Sequence, residues 1–254
     1  MITVFDHGPV RELRLSRPPA NALSPELVAA LGAAVAQAPQ ERARALVLSG
    51  APGRFCAGLD VPLLMGFDRE SIRSMWHCLY SMLRALAASE VPVAAAITGH
   101  SPAGGAVLAT YCDYRIMAEG DFKIGFNEVQ VGIPMPVAIL HCIARVVGDL
   151  RAERLCVSGA LVPAAEALRV GLIDEIAPAD QVIERSLDWC REITALPPNA
   201  MSRTRESCRA GLVRLMDEGL AGEIDQLVDN WFHPETQAVL RAVVERMAEK
   251  RKKG

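Results

Sequence analysis

Val91-Pro-Val-Ala-Ala-Ala-Ile97 runs through Thr98 into Gly99-His-Ser-Pro-Ala-Gly-Gly-Ala106 and on into an apolar helical stretch, Gly104–Cys112. An unbroken apolar run of this length reads as a buried strand. The glycine-rich segment behind it reads as a turn, and the helix follows at once. Strand, turn and helix in that order make the repeating unit of layered α/β folds, with functional groups on the loops after the strands.

Working outward, the same grammar recurs. Residues 1–16 alternate and turn at His7-Gly8-Pro9, which predicts a β-hairpin. Ser24-Pro25-Glu26 supplies an N-cap and a proline at the first helical position, opening a helix to about Ala36. Arg44–Ser49 reads as a short buried strand ending in the turn Ala51-Pro-Gly53, and about Arg69 to Ala88 as a long helix. Tyr114–Met117 and Asp121–Ile124 read as further strands. From about Arg151 the pattern becomes mostly helical, and Pro197-Pro198 marks a linker. The expected division is therefore a core over 1–196 and a helical region over 197–254, the latter a natural oligomer or lid surface.

Composition narrows the function. A net charge of −3 gives no concentrated basic surface for nucleic acid, and the basic run Lys250–Lys253 reads as a solvated tail. Seven scattered cysteines, with no Cys-x-x-Cys or Cys/His cluster, indicate neither a disulfide framework nor a metal site. The chain starts directly on Ile2–Phe5, and no apolar run is long enough to span a bilayer, so a cytoplasmic protein is expected.

Glu128 is the candidate for chemistry. It is the lone acid in the apolar, glycine-punctuated stretch Ile124–Pro134, with no cation beside it in sequence. Such a carboxylate should have a raised pKa, suited to taking up and returning a proton near neutrality. Two glycine-bearing turns, Phe55-Cys-Ala-Gly-Leu-Asp60 and Gly99–Ala106, allow close backbone approach to a ligand. If they converge, they could offer a pair of N–H donors to an oxyanion. Neither is a Walker loop or a dinucleotide fingerprint.

Taken in order, Pro18-Pro-Ala-Asn-Ala-Leu-Ser24, Arg54–Asp60, Pro102-Ala-Gly-Gly105, Asp113-Tyr-Arg-Ile116, Ile124–Ile133 and Gly171–Ile176 resemble the crotonase, or enoyl-CoA hydratase/isomerase, superfamily. The resemblance covers most of the chain. It implies a spiral ββα core with a C-terminal helical region, assembled as a trimer or a dimer of trimers. It also implies an acyl-CoA thioester as substrate, CoA being part of it, and no separate cofactor. By position the oxyanion donors fall on Leu59 and Gly105. The CoA part would lie along Ala20, Ala22 and Leu23 and along Ala57, Gly58 and Asp60, with Arg17 a weaker candidate near its phosphates.

Hydratases of this superfamily use two glutamates. The first would stand three residues after Gly105, where this chain has Leu108; the second matches Glu128. The segment Val131–Ala138 is also bulkier than the glycine-rich hydratase equivalent. Asn127-Glu128, with Gln130 and Gly132-Ile133, is most similar to the Δ3,Δ2-enoyl-CoA isomerases. That similarity implies Glu128 as a single proton shuttle, with Asn127 orienting it or the thioester. A specialised hydratase, a thioester hydrolase and a catalytically inactive acyl-CoA-binding protein are the competing expectations. Met75, Trp76, Leu79 and Met82 recur at helical spacing, His100 reads as a packing residue, and His141 as a buried or interface histidine.

Overall fold

The structure is a computed structural model that describes residues 1–218 and 220–253, with side chains over 1–218 and 222–249. The expectation of a solvated basic tail at 250–253 lies outside the described side chains. Strands β1 (Ile2–His7) and β2 (Val10–Leu15) form the expected hairpin, antiparallel with Ile2 opposite Leu15. Helix α1 (Pro25–Gln37) opens as read, the Ser24 hydroxyl accepting the Leu27 N–H at 3.3 Å.

Three passes then each place one strand in each of two sheets. β3 (Ala45–Ser49) and β4 (Gly53–Arg54) lead into α2 (Val61–Leu64) and α3 (Arg69–Ala87). β5 (Val93–Ile97) and β6 (Gly99–Pro102) lead into α4 (Gly104–Tyr111). β7 (Tyr114–Ala118) and β8 (Lys123–Gly125) lead through a 3-10 turn at Glu128–Val131 into α5 (Val137–Val147). Next come α6 (Asp149–Ser158), β9 (Leu161–Pro163), α7 (Ala164–Val170), β10 (Glu175–Ala177) and α8 (Val182–Thr194). Helices α9 (Pro198–Glu218), α10 (Leu220–Trp231) and α11 (Pro234–Lys253) follow. The large sheet runs β1-β2-β3-β5-β7-β10, parallel from β2 onward; the small one runs β4-β6-β8-β9.

The central strands are buried on both faces. Val93, Ala95 and Ile97 join the main core, while Ala94 and Ala96 join a second cluster with Val182, Leu187 and Cys190 of α8. Alternation at period two sends them to opposite sides, and the small alanines let α8 pack closely.

Two expectations need correction. The segment read as a glycine-rich turn is partly strand: Gly99–Pro102 is β6, paired in parallel with β4 and β8. Gly53, read as the end of a turn, starts β4. The part after Arg151 is mostly helical as read, with two short strands, β9 and β10, that extend the two sheets. All these strands are only two to four residues long. They are held by partners distant in sequence, so local propensity does not announce them.

Candidate active site

A cavity of about 250 Å³ opens among α2, α3, α4, the 3-10 turn, α5 and α11. Its walls are mainly apolar, with Trp76 and Leu79 from α3, Val107 from α4 and Ile139 from α5. Glu128 and Asn127 stand on one wall. The chain reaches them from β8 through fully buried Phe126, and turns away at Gly132, whose φ of 76° lies in the left-handed region. Thr236 of α11 holds this turn from behind, its hydroxyl donating to Gly132 O at 2.9 Å.

Glu128 is half-buried as a residue, yet its Oε2 is sealed from solvent and has no hydrogen-bond partner among the described residues. Desolvation pushes its pKa from 4.5 to about 7, and only a bond to its own backbone N–H pulls the other way. Asn127 Oδ1 is likewise buried and unpartnered. Two buried polar atoms without internal partners thus belong to residues that line an apolar cavity.

The two glycine-bearing turns do converge. Leu23 and Leu59 form a parallel bridge, with the Leu23 N–H donating to Gly58 O at 2.8 Å and the Asp60 N–H to Leu23 O at 3.1 Å. The Ala57 N–H donates to Ala20 O at 3.1 Å. Gly58 has φ 80°, and a β-carbon there would stand 3.0 Å from Ala103 Cβ and 3.1 Å from Gly104 N. One at Gly105 would stand 2.3 Å from Cys56 O. The backbones of the two turns are thus in contact, at a spacing that only glycine permits. The Leu59 N–H bonds no acceptor among the described residues. Gly105 is the second residue of α4, whose first-turn N–H groups have no intrahelical partner.

Of the residues singled out in the sequence, Ala20, Ala22, Ala57, Leu59, Asp60, Asn127 and Glu128 line the cavity, as does Arg17. Leu23, Gly58 and Gly105 are not on its wall; Leu23 and Gly58 fix the first turn by backbone pairing, and Gly104 takes the wall position beside Gly105. Arg17 is engaged internally: Nη2 bonds Asp60 Oδ2 at 2.5 Å and Nη1 bonds Ala22 O at 3.1 Å. Asp60 also caps α2, accepting the Leu63 N–H at 3.3 Å.

Leu108 is fully buried in the main core, while its neighbour Val107 faces the cavity. Trp76 and Leu79 line the cavity, whereas Met75 and Met82 belong to the core. His100 packs edge-on against Phe122 at 5.4 Å. His141, read as a buried or interface residue, is exposed on α5. Thr98 bonds Ala51 O at 2.9 Å and so ties the start of β6 to the β3–β4 connection.

Sequence reasoning missed two kinds of contributor. Asn21 is buried at φ 53°, accepts the Arg17 N–H at 2.9 Å and donates to Phe55 O at 3.0 Å, stapling the first loop to the turn. An asparagine flanked by small residues was the available signal, since it tolerates the left-handed region. Val243 and Met247 reach the cavity from α11, over a hundred positions from Glu128 in the chain, and nothing local marks them.

A spiral of paired strands and helices, two glycine turns in contact and one sealed carboxylate define the crotonase fold class. The family profile described as enoyl-CoA hydratase/isomerase matches residues 7–253, and the chain belongs to that family. The human mitochondrial enoyl-CoA delta isomerase 1 is 30% identical over 245 residues, covering 95% of this chain and 81% of the relative. A probable enoyl-CoA hydratase of Mycolicibacterium paratuberculosis is 31% identical over 218 residues, covering 85% and 84%. The crystal structure of human mitochondrial Δ3-Δ2-enoyl-CoA isomerase superposes with a TM-score of 0.94 at 30% identity, covering 98% of each chain. Among the described residues, no helix is long and apolar enough to cross a membrane. No group of three or more His, Cys, Asp or Glu among them could hold a metal ion.

Proposed function

We propose that the protein is a Δ3,Δ2-enoyl-CoA isomerase in which Glu128 is the only proton-transferring group. The observation that carries this reading is the state of the two carboxylates on the cavity wall. Glu128 Oε2 is sealed and unpartnered with a pKa of about 7, whereas Asp60 is bound to Arg17 and to the α2 N-terminus. One free base in a dry site suits proton transfer within the substrate better than activation of water.

The Glu128 carboxylate takes a proton from C2 of a 3-enoyl thioester. The C–H electrons move to the thioester oxygen, giving a dienolate, and the Leu59 and Gly105 N–H groups donate to that oxygen. The carboxylic acid then returns the proton at C4. The double bond moves from C3–C4 to C2–C3, and the carboxylate is regenerated. Nothing in the sequence requires a cofactor beyond the CoA of the substrate. Asn127 orients Glu128 or the thioester through its amide. We also propose assembly as a trimer or a dimer of trimers.

The test is trans-3-hexenoyl-CoA with purified protein, following the conjugated 2-enoyl product, with 2-hexenoyl-CoA run alongside. Rapid conjugation with negligible hydration is expected. Hydration of the 2-enoyl substrate without isomerisation would overturn the reading.

A further inference from the structure

Helix α5 begins without a cap of its own. Its N-cap residue is Pro136, which offers no side-chain acceptor, so its first-turn N–H groups need a partner from elsewhere. Glu223 of α10 provides one: its Oε1 accepts the Val137 N–H. The other oxygen, Oε2, accepts the hydroxyl of Tyr80 on α3 at 2.7 Å. Tyr80 is 1% exposed, so its phenol has few other places to find an acceptor. A carboxylate at a helix N-terminus is favoured by the helix dipole as well as by the bond itself.

The positions of these two contacts matter. On α3, Leu79 precedes Tyr80 and Trp76 lies one turn earlier on the same face, and both line the cavity. On the α5 side, Pro136 precedes Val137 and Ile139 follows two residues on, and both line it too. The helix after α10 carries Val243 and Met247 to the same cavity. Other links between α3 and α10, Arg69–Asp229 and Arg73–Asp225, are exposed ion pairs and contribute little. Among the described residues, Glu223 alone bonds both α3 and α5.

We infer that Glu223 is a positioning residue whose two carboxylate oxygens set the spacing of the apolar walls, and thereby how tightly the cavity grips the acyl part of its ligand. This rests on the reading that the cavity takes an acyl-CoA. Glu223 itself makes no contact with the reacting atoms.

The experiment is calorimetric titration of the full chain with octanoyl-CoA, which is saturated and cannot be isomerised, and with free CoA. The readout is the ratio of the two affinities. Glu223→Ala is expected to lower that ratio about tenfold, as the loss of charge-assisted bonds at two walls would, while CoA affinity stays close to wild type. Glu223→Gln, which keeps one acceptor oxygen, should recover part of the ratio. Tyr80→Phe, which breaks only the α3 arm, should fall between Ala and wild type. Asp225→Asn, on the same helix but in an exposed pair, should leave the ratio unchanged. A lowered melting temperature for Glu223→Ala with an unchanged ratio would show a merely structural role and overturn the inference. Should that variant fail to fold, unchanged ratios in Glu223→Gln and Tyr80→Phe would do the same. Wild-type protein that binds octanoyl-CoA no better than CoA removes the acyl-CoA reading itself, a failure visible before any variant is made.

Discussion

Glu12 and Glu128 are both carboxylates set into apolar surroundings, and they end in opposite states. Glu12, on β2, is 1% exposed, yet its pKa is held below the ordinary value. Burial raises it, but Arg14 at 2.8 Å, the Ser49 hydroxyl at 2.5 Å and His7 at 3.2 Å more than offset that. Glu128 is the more exposed residue of the two and has its pKa raised to about 7, because nothing compensates the desolvation of Oε2. The lesson is that a desolvated acid stays ionised where partners compensate it and stands ready to exchange a proton where none does.

The sharpest way to break this contrast is Glu128→Gln. The amide keeps the shape and removes the base, so isomerisation of a 3-enoyl-CoA should fall by about 10²–10⁴-fold. Octanoyl-CoA binding should be little changed. Retention of more than about a tenth of wild-type turnover would mean that some other group moves the proton. In the wild type, kcat/KM should rise with pH through an inflection near the Glu128 pKa of about 7, since the carboxylate is the active form. An inflection near the ordinary carboxylate value would show that the cavity is wetter in solution than its geometry implies.

The same contrast predicts opposite signs in stability. A carboxyl whose folded pKa is raised binds its proton more tightly in the folded state. Its contribution is therefore full below the unfolded pKa and is lost as pH climbs through about 7. Glu128→Gln should gain on wild type between pH 5 and pH 8, by an amount on the order of 2–4 kcal/mol in unfolding free energy. Denaturant melts at both pH values measure the gap. A gap that does not widen with pH would deny the raised pKa independently of any assay of turnover.

That Glu128 could be singled out from sequence, whereas Glu12 could not, follows from what stands beside each in the chain. Glu128 stands out locally as the lone acid, with no cation beside it, in the stretch Ile124 to Pro134, although the walls around it, among them Trp76, Leu79, Val107 and Ile139, come from other helices. Glu12 acquires Ser49 only because β2 and β3 pair in parallel, and sheet pairing is not visible in either strand alone. The same division holds for the fold. The hairpin and its turn, the Ser24 cap and the buried β5 depend on short-range pattern and were legible. Strands β4, β6, β9 and β10 exist because partners from far along the chain complete their hydrogen bonds; the first two were read as turn, and the last two were not singled out from a mostly helical stretch. In the site, the glycine turns and Glu128 stood out, while Asn21, Val243, Met247 and the engagement of Arg17 by Asp60 emerge only once the chain has folded.

The smallest predicted effect comes from the other side of the comparison. Glu12→Gln leaves the buried Ser49 hydroxyl and the half-exposed Arg14 with a neutral partner, so folding should weaken by about 1–3 kcal/mol at pH 7. Because its folded pKa is lowered, the carboxylate contributes fully above the unfolded value of 4.5, and that contribution is lost as pH falls through the lower folded one. The deficit of Glu12→Gln should therefore shrink in acid, where that of a simple packing defect would persist. Turnover per folded molecule should not change, since Glu12 sits in the hairpin sheet and not on the cavity wall. If this variant lost activity in step with Glu128→Gln, the two acids would be coupled through the sheet, and the separation of a structural from a chemical glutamate would have to be abandoned.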